Sequence, residues 1–235
     1  MASGYSYRVG GVMKGGGEAL MAKMRREVDQ KSMPIARERF KGTPFEGSVV
    51  PVEEYNDILD KSDIIQIEGA QGFSLGLNQG FYPYGTWRDC SIAQVLSDCA
   101  IPMSLAKNIE TIGVCRTYPI RVANRYANDG KQIGWSGPCY YDQHELTWEQ
   151  IGVPPEFTTV SGLKRRVFSF SREQIRQAIR MNDVARVFLN FRNYPMSDEY
   201  LARIVESITE TGASIWWEGF GPREDQIMEA EDADA

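Results

Sequence analysis

Ile64-Ile65-Gln66-Ile67-Glu68-Gly69-Ala70-Gln71-Gly72 is the stretch on which the fold turns. Residues 64–67 form a short apolar run with the β-branched content of a buried strand. A strand ending in Gly-Ala-Gln-Gly leaves the side-chain amide of Gln71 at its tip, between glycines that let a ligand approach the backbone. Ligands of α/β sheets sit at the carboxyl ends of strands. A strand running into an ordinary turn accounts for the same residues equally well.

Working outward, Thr111–Cys115, Val184–Leu189 and Ser214–Trp217 read as further buried strands. Helices are expected over 91–107, with Ile92, Val95 and Leu96 on the core face, and from Ser171 to about Met181, with Ile175, Ala178 and Ile179 inward. A third is expected over 198–211, capped by Ser197 or Asp198 and ended by Gly212. Strands alternating with helices predict an α/β protein with a mostly parallel central sheet flanked by helices. Residues 28–62 read as helices and loops without chemistry, and 123–157 as a long loop region of the kind that is often functional. One domain is expected over 1–228. The acidic end from Glu229 to Ala235 reads as a solvated, disordered tail.

Composition narrows the class. With 42% hydrophobic and 11% aromatic residues among 235, the chain has the make-up of a folded globule. No apolar run approaches a membrane span, and the first residues lack the features of a signal peptide, so the cytoplasm is expected, that of a host cell if the chain is phage-encoded. The net charge of −6 argues against a bulk nucleic-acid binder, although the acidic tail carries much of it. Cys90, Cys99, Cys115 and Cys139 have no metal-ligand spacing and read as reduced thiols. No motif fixes a cofactor; magnesium is the one candidate. The only histidine, His144, reads as an exposed loop residue rather than a general acid.

Two stretches carry candidate chemistry. Gly15 and Gly16, in a glycine-rich loop running into a helical pattern, can hold an anion through backbone N–H groups, or simply connect. Thr158-Thr159-Val160-Ser161-Gly162-Leu163-Lys164-Arg165-Arg166 sets three consecutive cations beside hydroxyls and a glycine. That suits a carboxylate or phosphate; a solvated basic turn is the plainer alternative. Arg172, Arg176 and Arg180 recur at four-residue spacing, a face that is normally solvent but could follow a polyanion.

EGAQG followed by GFYPYGT resembles the adenylosuccinate synthetase family, in which EGAQG precedes GTYPYVTS. VGGVMKGGGEALMAKMRR, GVCRTYPIRV, TVSGLKRRVFSFS and WWEGFGPREDQI match in the same order, so the similarity covers roughly residues 9–228. VFLNFRNY is similar to the phage and archaeal branch that acts in 2-aminoadenine nucleotide synthesis. The resemblance implies a reduced adenylosuccinate synthetase-like fold. It implies that Gln71 contacts the phosphorylated position of the base, that Thr86 contacts the 5′-phosphate, and that Arg121 and Val122 lie near the sugar. Arg26 matches the arginine lent to a partner subunit, which implies a homodimer. Ser161, Gly162, Lys164, Arg165 and Arg166 fall in the loop that closes over the amino acid. Leu163 replaces an arginine of that loop, which puts aspartate specificity and ribose recognition in doubt. Arg192 replaces the aspartate that reads guanine, so GTP is not expected as the donor.

The family's GDEGKG segment and catalytic histidine have no match, and the chain is expected to start after both. The leading expectation is therefore an amine transferase in which an amino acid displaces phosphate from a base phosphorylated by a separate kinase, as in hypermodified phage DNA. Gln71, Arg165 and Arg166 would act on the leaving phosphate and the donor. The alternatives are a split adenylosuccinate synthetase-like ligase needing a P-loop partner, and an inactive nucleotide-binding protein.

Overall fold

A computed structural model describes residues 33–44, 50 and 52–230. Gly15, Gly16 and Arg26, and the tail beyond Ala230, lie outside the described residues. The chain divides into two compact units between Gln66 and Ile67. In the first, α1 spans Met33–Phe40 and α2 spans Val52–Lys61. Glu53 and Glu54 in the first turn of α2 and Lys61 in its last complement the helix dipole. The apolar run after it forms no strand: Ile64 is 87% exposed, and no strand among the described residues pairs with 64–67. β-Branched residues favour an extended backbone, but only a partner's N–H and C=O groups turn it into a strand.

The second unit is built on a four-stranded sheet of β1 (Ile112–Arg116), β7 (Arg186–Asn190), β8 (Ser214–Gly219) and β9 (Ile227–Glu229), side by side in that order. Before β1 come two short helices, α3 (Ile92–Asp98) and α4 (Met103–Ala106), where a single helix was expected. Ala100 takes a left-handed backbone (φ 50°) and Pro102 cannot continue the ladder, so the helix stops and restarts. β1, β7 and β8 are parallel, in registers Ile112↔Arg186 and Arg186↔Ser214. β9 closes the far edge antiparallel, so Glu229 belongs to the sheet rather than to a tail.

Helices α6 (Arg172–Asn182) and α7 (Asp198–Thr209) cover one face. Ser171 caps α6 by accepting from Gln174 N–H at 3.0 Å, and Ser197 caps α7 through Tyr200 N–H at 3.2 Å. Gly212, at φ 88°, turns the chain into β8. Ile179, Val187, Leu189, Ile204 and Ile208 form the core between helices and sheet. Truncating Leu189, which is fully buried, would cost about 2–5 kcal/mol.

Between β1 and β7 the chain is more ordered than expected. β2 (Ile120–Arg121), β6 (Arg166–Phe168) and β5 (Glu145–Leu146) make an antiparallel sheet in the order β2-β6-β5. β3 (Arg125–Tyr126) and β4 (Gln132–Gly134) form a hairpin, and α5 (Trp148–Ile151) begins with a capping box between Thr147 and Gln150. Trp148 anchors a second core with Tyr118, Ile151 and Val167.

Candidate functional site

Carboxyl ends of β1, β7 and β8 converge on one charged and aromatic mouth. Arg116, the last residue of β1, ion-pairs with Glu156 and sets its guanidinium carbon 3.5 Å from the centroid of Phe191. The Tyr194 hydroxyl donates to the same Glu156 carboxylate at 3.0 Å. Burial, then Glu156, push that hydroxyl up to about 12. Phe191 has a left-handed backbone (φ 65°), held by the Thr117 hydroxyl, which donates to its carbonyl at 2.9 Å. Arg192 Nε donates to Glu218 Oε1 at 2.5 Å, and its N–H to Gly219 O at 2.9 Å. A Cβ on Gly219 would lie 2.5 Å from Asn190 Oδ1, so any larger residue there would displace the Asn190 side chain.

A second element is the loop from Gln71 to Ser91. Gln71 is exposed, with a left-handed backbone (φ 70°), and Cys90 Sγ approaches its Oε1 at 3.8 Å. Thr86 N–H donates to Leu75 O at 2.7 Å and Leu77 N–H to Arg88 O at 2.9 Å, so the loop doubles back on itself. Asp89 accepts from Asn78, Gln79, Ser91 and the Cys90 N–H. Burial opposes its charged form, but those hydrogen bonds prevail and hold the carboxyl below the usual range.

Arg121 ties this loop to the antiparallel sheet. Its Nη2 donates to Tyr84 O at 3.1 Å and to Ser136 O at 2.7 Å, and the residue is only 9% exposed. Burial, then the neighbouring Arg166, lower its pKa. Arg166 makes a fork to Glu145 at 2.8 and 2.6 Å and donates to Ser136 Oγ and Gly137 O. Arg165 is less committed, its Nε donating to Phe157 O at 3.3 Å. Lys164 reaches Glu149 at 3.5 Å. Ser161 shares a 2.6 Å hydrogen bond with Thr158, Gly162 turns at φ 62°, and Val122 is 47% exposed. The structure thus brings the Thr86 loop, Arg121 and Arg166 together, while the contact of Gln71 runs to Cys90.

Elsewhere Arg172 pairs with Glu210 and Arg176 with Glu173, which neutralises most of the helical arginine stripe. His144 is exposed, its Nδ1 3.1 Å from Ser169 Oγ. The four cysteines are thiols; burial pushes Cys115 up to about 12. Among the described residues no group of three or more His, Cys, Asp and Glu side chains is arranged to hold a metal ion. No described helix is long and apolar enough to cross a membrane.

Sequence reasoning missed Arg116, Glu156, Tyr194 and Asp89. An arginine ending an apolar strand was a usable signal for the first, since strand ends are where ligands sit. The other three owe their places to contacts between distant segments.

The family model for adenylosuccinate synthetase matches residues 11–193. The chain belongs to the adenylosuccinate synthetase family. Within that family it is 46% identical to the N6-succino-2-amino-2′-deoxyadenylate synthase of Acinetobacter phage SH-Ab 15497, over 91% of this chain and 60% of the relative. It is 31% identical to the adenylosuccinate synthetase of Methanococcus maripaludis, over 69% of this chain and 44% of that protein. Among solved structures, the succinoaminodeoxyadenylate synthetase of cyanophage S-2L, bound to dGMP and dATP as an energy donor, superposes with a TM-score of 0.72 at 38% identity. That match covers 92% of this chain and 60% of the cyanophage chain. The chain therefore spans about three fifths of the phage relatives it matches.

Proposed function

We propose that the chain serves a ligase reaction that joins the amine of aspartate to C6 of dGMP, giving N6-succino-2-amino-2′-deoxyadenylate. The observation that carries this reading is the 46% identity, across 91% of the chain, to the phage synthase of that name. In two steps, the terminal phosphoryl group of a triphosphate passes to O6 of the purine, which gives up its N1 proton while a diphosphate leaves, and the aspartate nitrogen then bonds to C6. The C6–O6 bond breaks, O6 leaves with the phosphate, and the nitrogen gives up a proton.

The residues take the following parts. The Gln71 amide donates to the 6-oxygen and its phosphate, and the Thr86 hydroxyl holds the 5′-phosphate. Arg165 is the cation with donors to spare for the aspartate carboxylate, with Ser161, Gly162 and Lys164 shaping its loop. Arg121 and Arg166 brace the sugar side from their hydrogen-bonded positions, beside Val122. Leu163 in place of an arginine suits a deoxy sugar. Arg192, held by Glu218, leaves the end of β7 without a free carboxylate for guanine, which favours an adenine triphosphate as donor. Gly15, Gly16 and Arg26, which lie outside the described residues, are read from the family pattern as phosphate contacts, Arg26 across a homodimer.

Amine transfer onto a phosphorylated pyrimidine of DNA shares the second step. The phage relatives are named for a nucleotide product, so the nucleotide is the better-supported acceptor. The test is mass spectrometry after incubation with dGMP, aspartate and dATP, with and without the unmatched segment of the Acinetobacter phage relative. A succinyl-substituted deoxynucleotide supports the ligase. No product there, but product from phosphorylated DNA without triphosphate, restores the transferase.

A further inference from the structure

The loop that carries both Gln71 and Thr86 has its two limbs fastened at one carboxylate. Asp89 Oδ2 accepts from Asn78 Nδ2 and Gln79 Nε2, each at 3.3 Å, on the outgoing limb. On the returning limb it accepts from Ser91 Oγ at 3.2 Å, while Oδ1 takes the Cys90 N–H at 2.8 Å. Space for this knot comes from Gly76, where a Cβ would lie 2.9 Å from both Asp89 Oδ1 and Gln79 Oε1 and 3.0 Å from the Cys90 nitrogen.

The knot acts in two directions. Toward Thr86, it sets the register in which Leu77 N–H meets Arg88 O and Thr86 N–H meets Leu75 O. Toward Gln71, it fixes the Cys90 backbone, and the Cys90 thiol is the group that meets Gln71 Oε1. An amide whose oxygen faces a thiol keeps its NH2 for another acceptor. The backbone of Gln71 is left-handed, a conformation a glutamine keeps only when its surroundings impose it.

We propose that Asp89 is a positioning residue of the nucleotide site: it sets the Thr86 hydroxyl for the 5′-phosphate and, through Cys90, aims the Gln71 amide at the 6-oxygen of the purine. This rests on the dGMP reading above. Hydrogen bonding that outweighs the cost of burial keeps the carboxylate ionised at neutral pH, as an acceptor for four donors requires.

Calorimetry with dGMP and with deoxyguanosine, which lacks the phosphate, tests it on the full chain. The unaltered protein should bind dGMP more tightly than deoxyguanosine. Asp89→Ala should weaken dGMP by about tenfold, the scale of one charge-assisted hydrogen bond, and deoxyguanosine, which meets only the Gln71 arm, by a smaller factor. Thr86→Val should then add little in the Asp89→Ala background, because the hydroxyl is already misplaced. Asp89→Asn keeps the acceptor for Cys90 N–H and should recover part of the loss; it carries the comparison if the alanine variant unfolds. Equal weakening of both ligands, or none, would reduce Asp89 to a structural residue and overturn the inference alone. Failure of the unaltered chain to bind dGMP would overturn the dGMP reading and this inference with it.

Discussion

Arg116 and Phe191 face each other across the ends of two parallel strands, the guanidinium carbon 3.5 Å from the ring centroid. One cation thereby serves Phe191 and Glu156 at once, and Glu156 in turn receives Tyr194. The strand ends are held together by charge and ring contacts as well as by backbone ladders.

Removing that cation leaves Glu156 half-buried without its partner. Arg116→Ala should destabilise the protein by about 2–4 kcal/mol, read as a lowered urea midpoint with an unchanged slope. Arg116→Lys should recover only part, because a lysine cannot meet Glu156 and the Tyr118 carbonyl while stacking on the ring. An unshifted midpoint for the alanine variant would show that the pair contributes nothing.

The Tyr194 hydroxyl loses its proton near 10 in the unfolded chain and at about 12 in the fold. The folded state therefore binds the proton more tightly, and this contribution is whole below pH 10 and lost as pH rises toward 12. Tyr194→Phe should flatten that alkaline decline in stability. Thermal melts across the alkaline range decide it; identical slopes for the two proteins would remove Tyr194 as the source.

Adjacent arginines should behave differently. Arg166 has a carboxylate fork and two further acceptors, so Arg166→Ala should cost about 2–3 kcal/mol of stability. Arg165→Ala should shift stability by less than about 0.5 kcal/mol yet lower turnover of the proposed ligase strongly. Equal turnover in Arg165→Ala and the parent would take the loop out of the mechanism.

Leu163 offers a gain-of-function check. Leu163→Arg restores the residue type of the wider family and should narrow the preference for dGMP over GMP by roughly tenfold, one charged hydrogen bond. Titration with the two nucleotides measures it, and an unchanged ratio would free Leu163 from sugar selection.

Much of the second unit was readable from local chemistry. Ser171 and Ser197 announced α6 and α7, and the apolar run through Val187 and Leu189 announced β7. Thr147 and Gln150 also spelled a capping box, hidden by the aromatic and polar residues around it. Ile64–Ile67 misled because composition reports a preference for extension and says nothing of a pairing partner. The run Lys164-Arg165-Arg166 looked like one cationic unit, yet the start of β6 gives each residue its own acceptor. The Arg116–Glu156 pair joins residues forty positions apart, a separation across which no local pattern reaches.

The strand order β1-β7-β8-β9 has a consequence for how the chain matures on the ribosome. β1 is made early but has no sheet neighbour until β7 emerges, and the outer edge of β8 stays open until β9, almost at the last described residue. The sheet cannot close until β7, β8 and β9 have all been made, so its assembly is late and dominated by distant pairings. Such topologies assemble slowly and leave strand edges open to other chains in the meantime. Yield of soluble protein should therefore respond more to growth temperature and chaperone supply than to changes on the surface of α6 or α7.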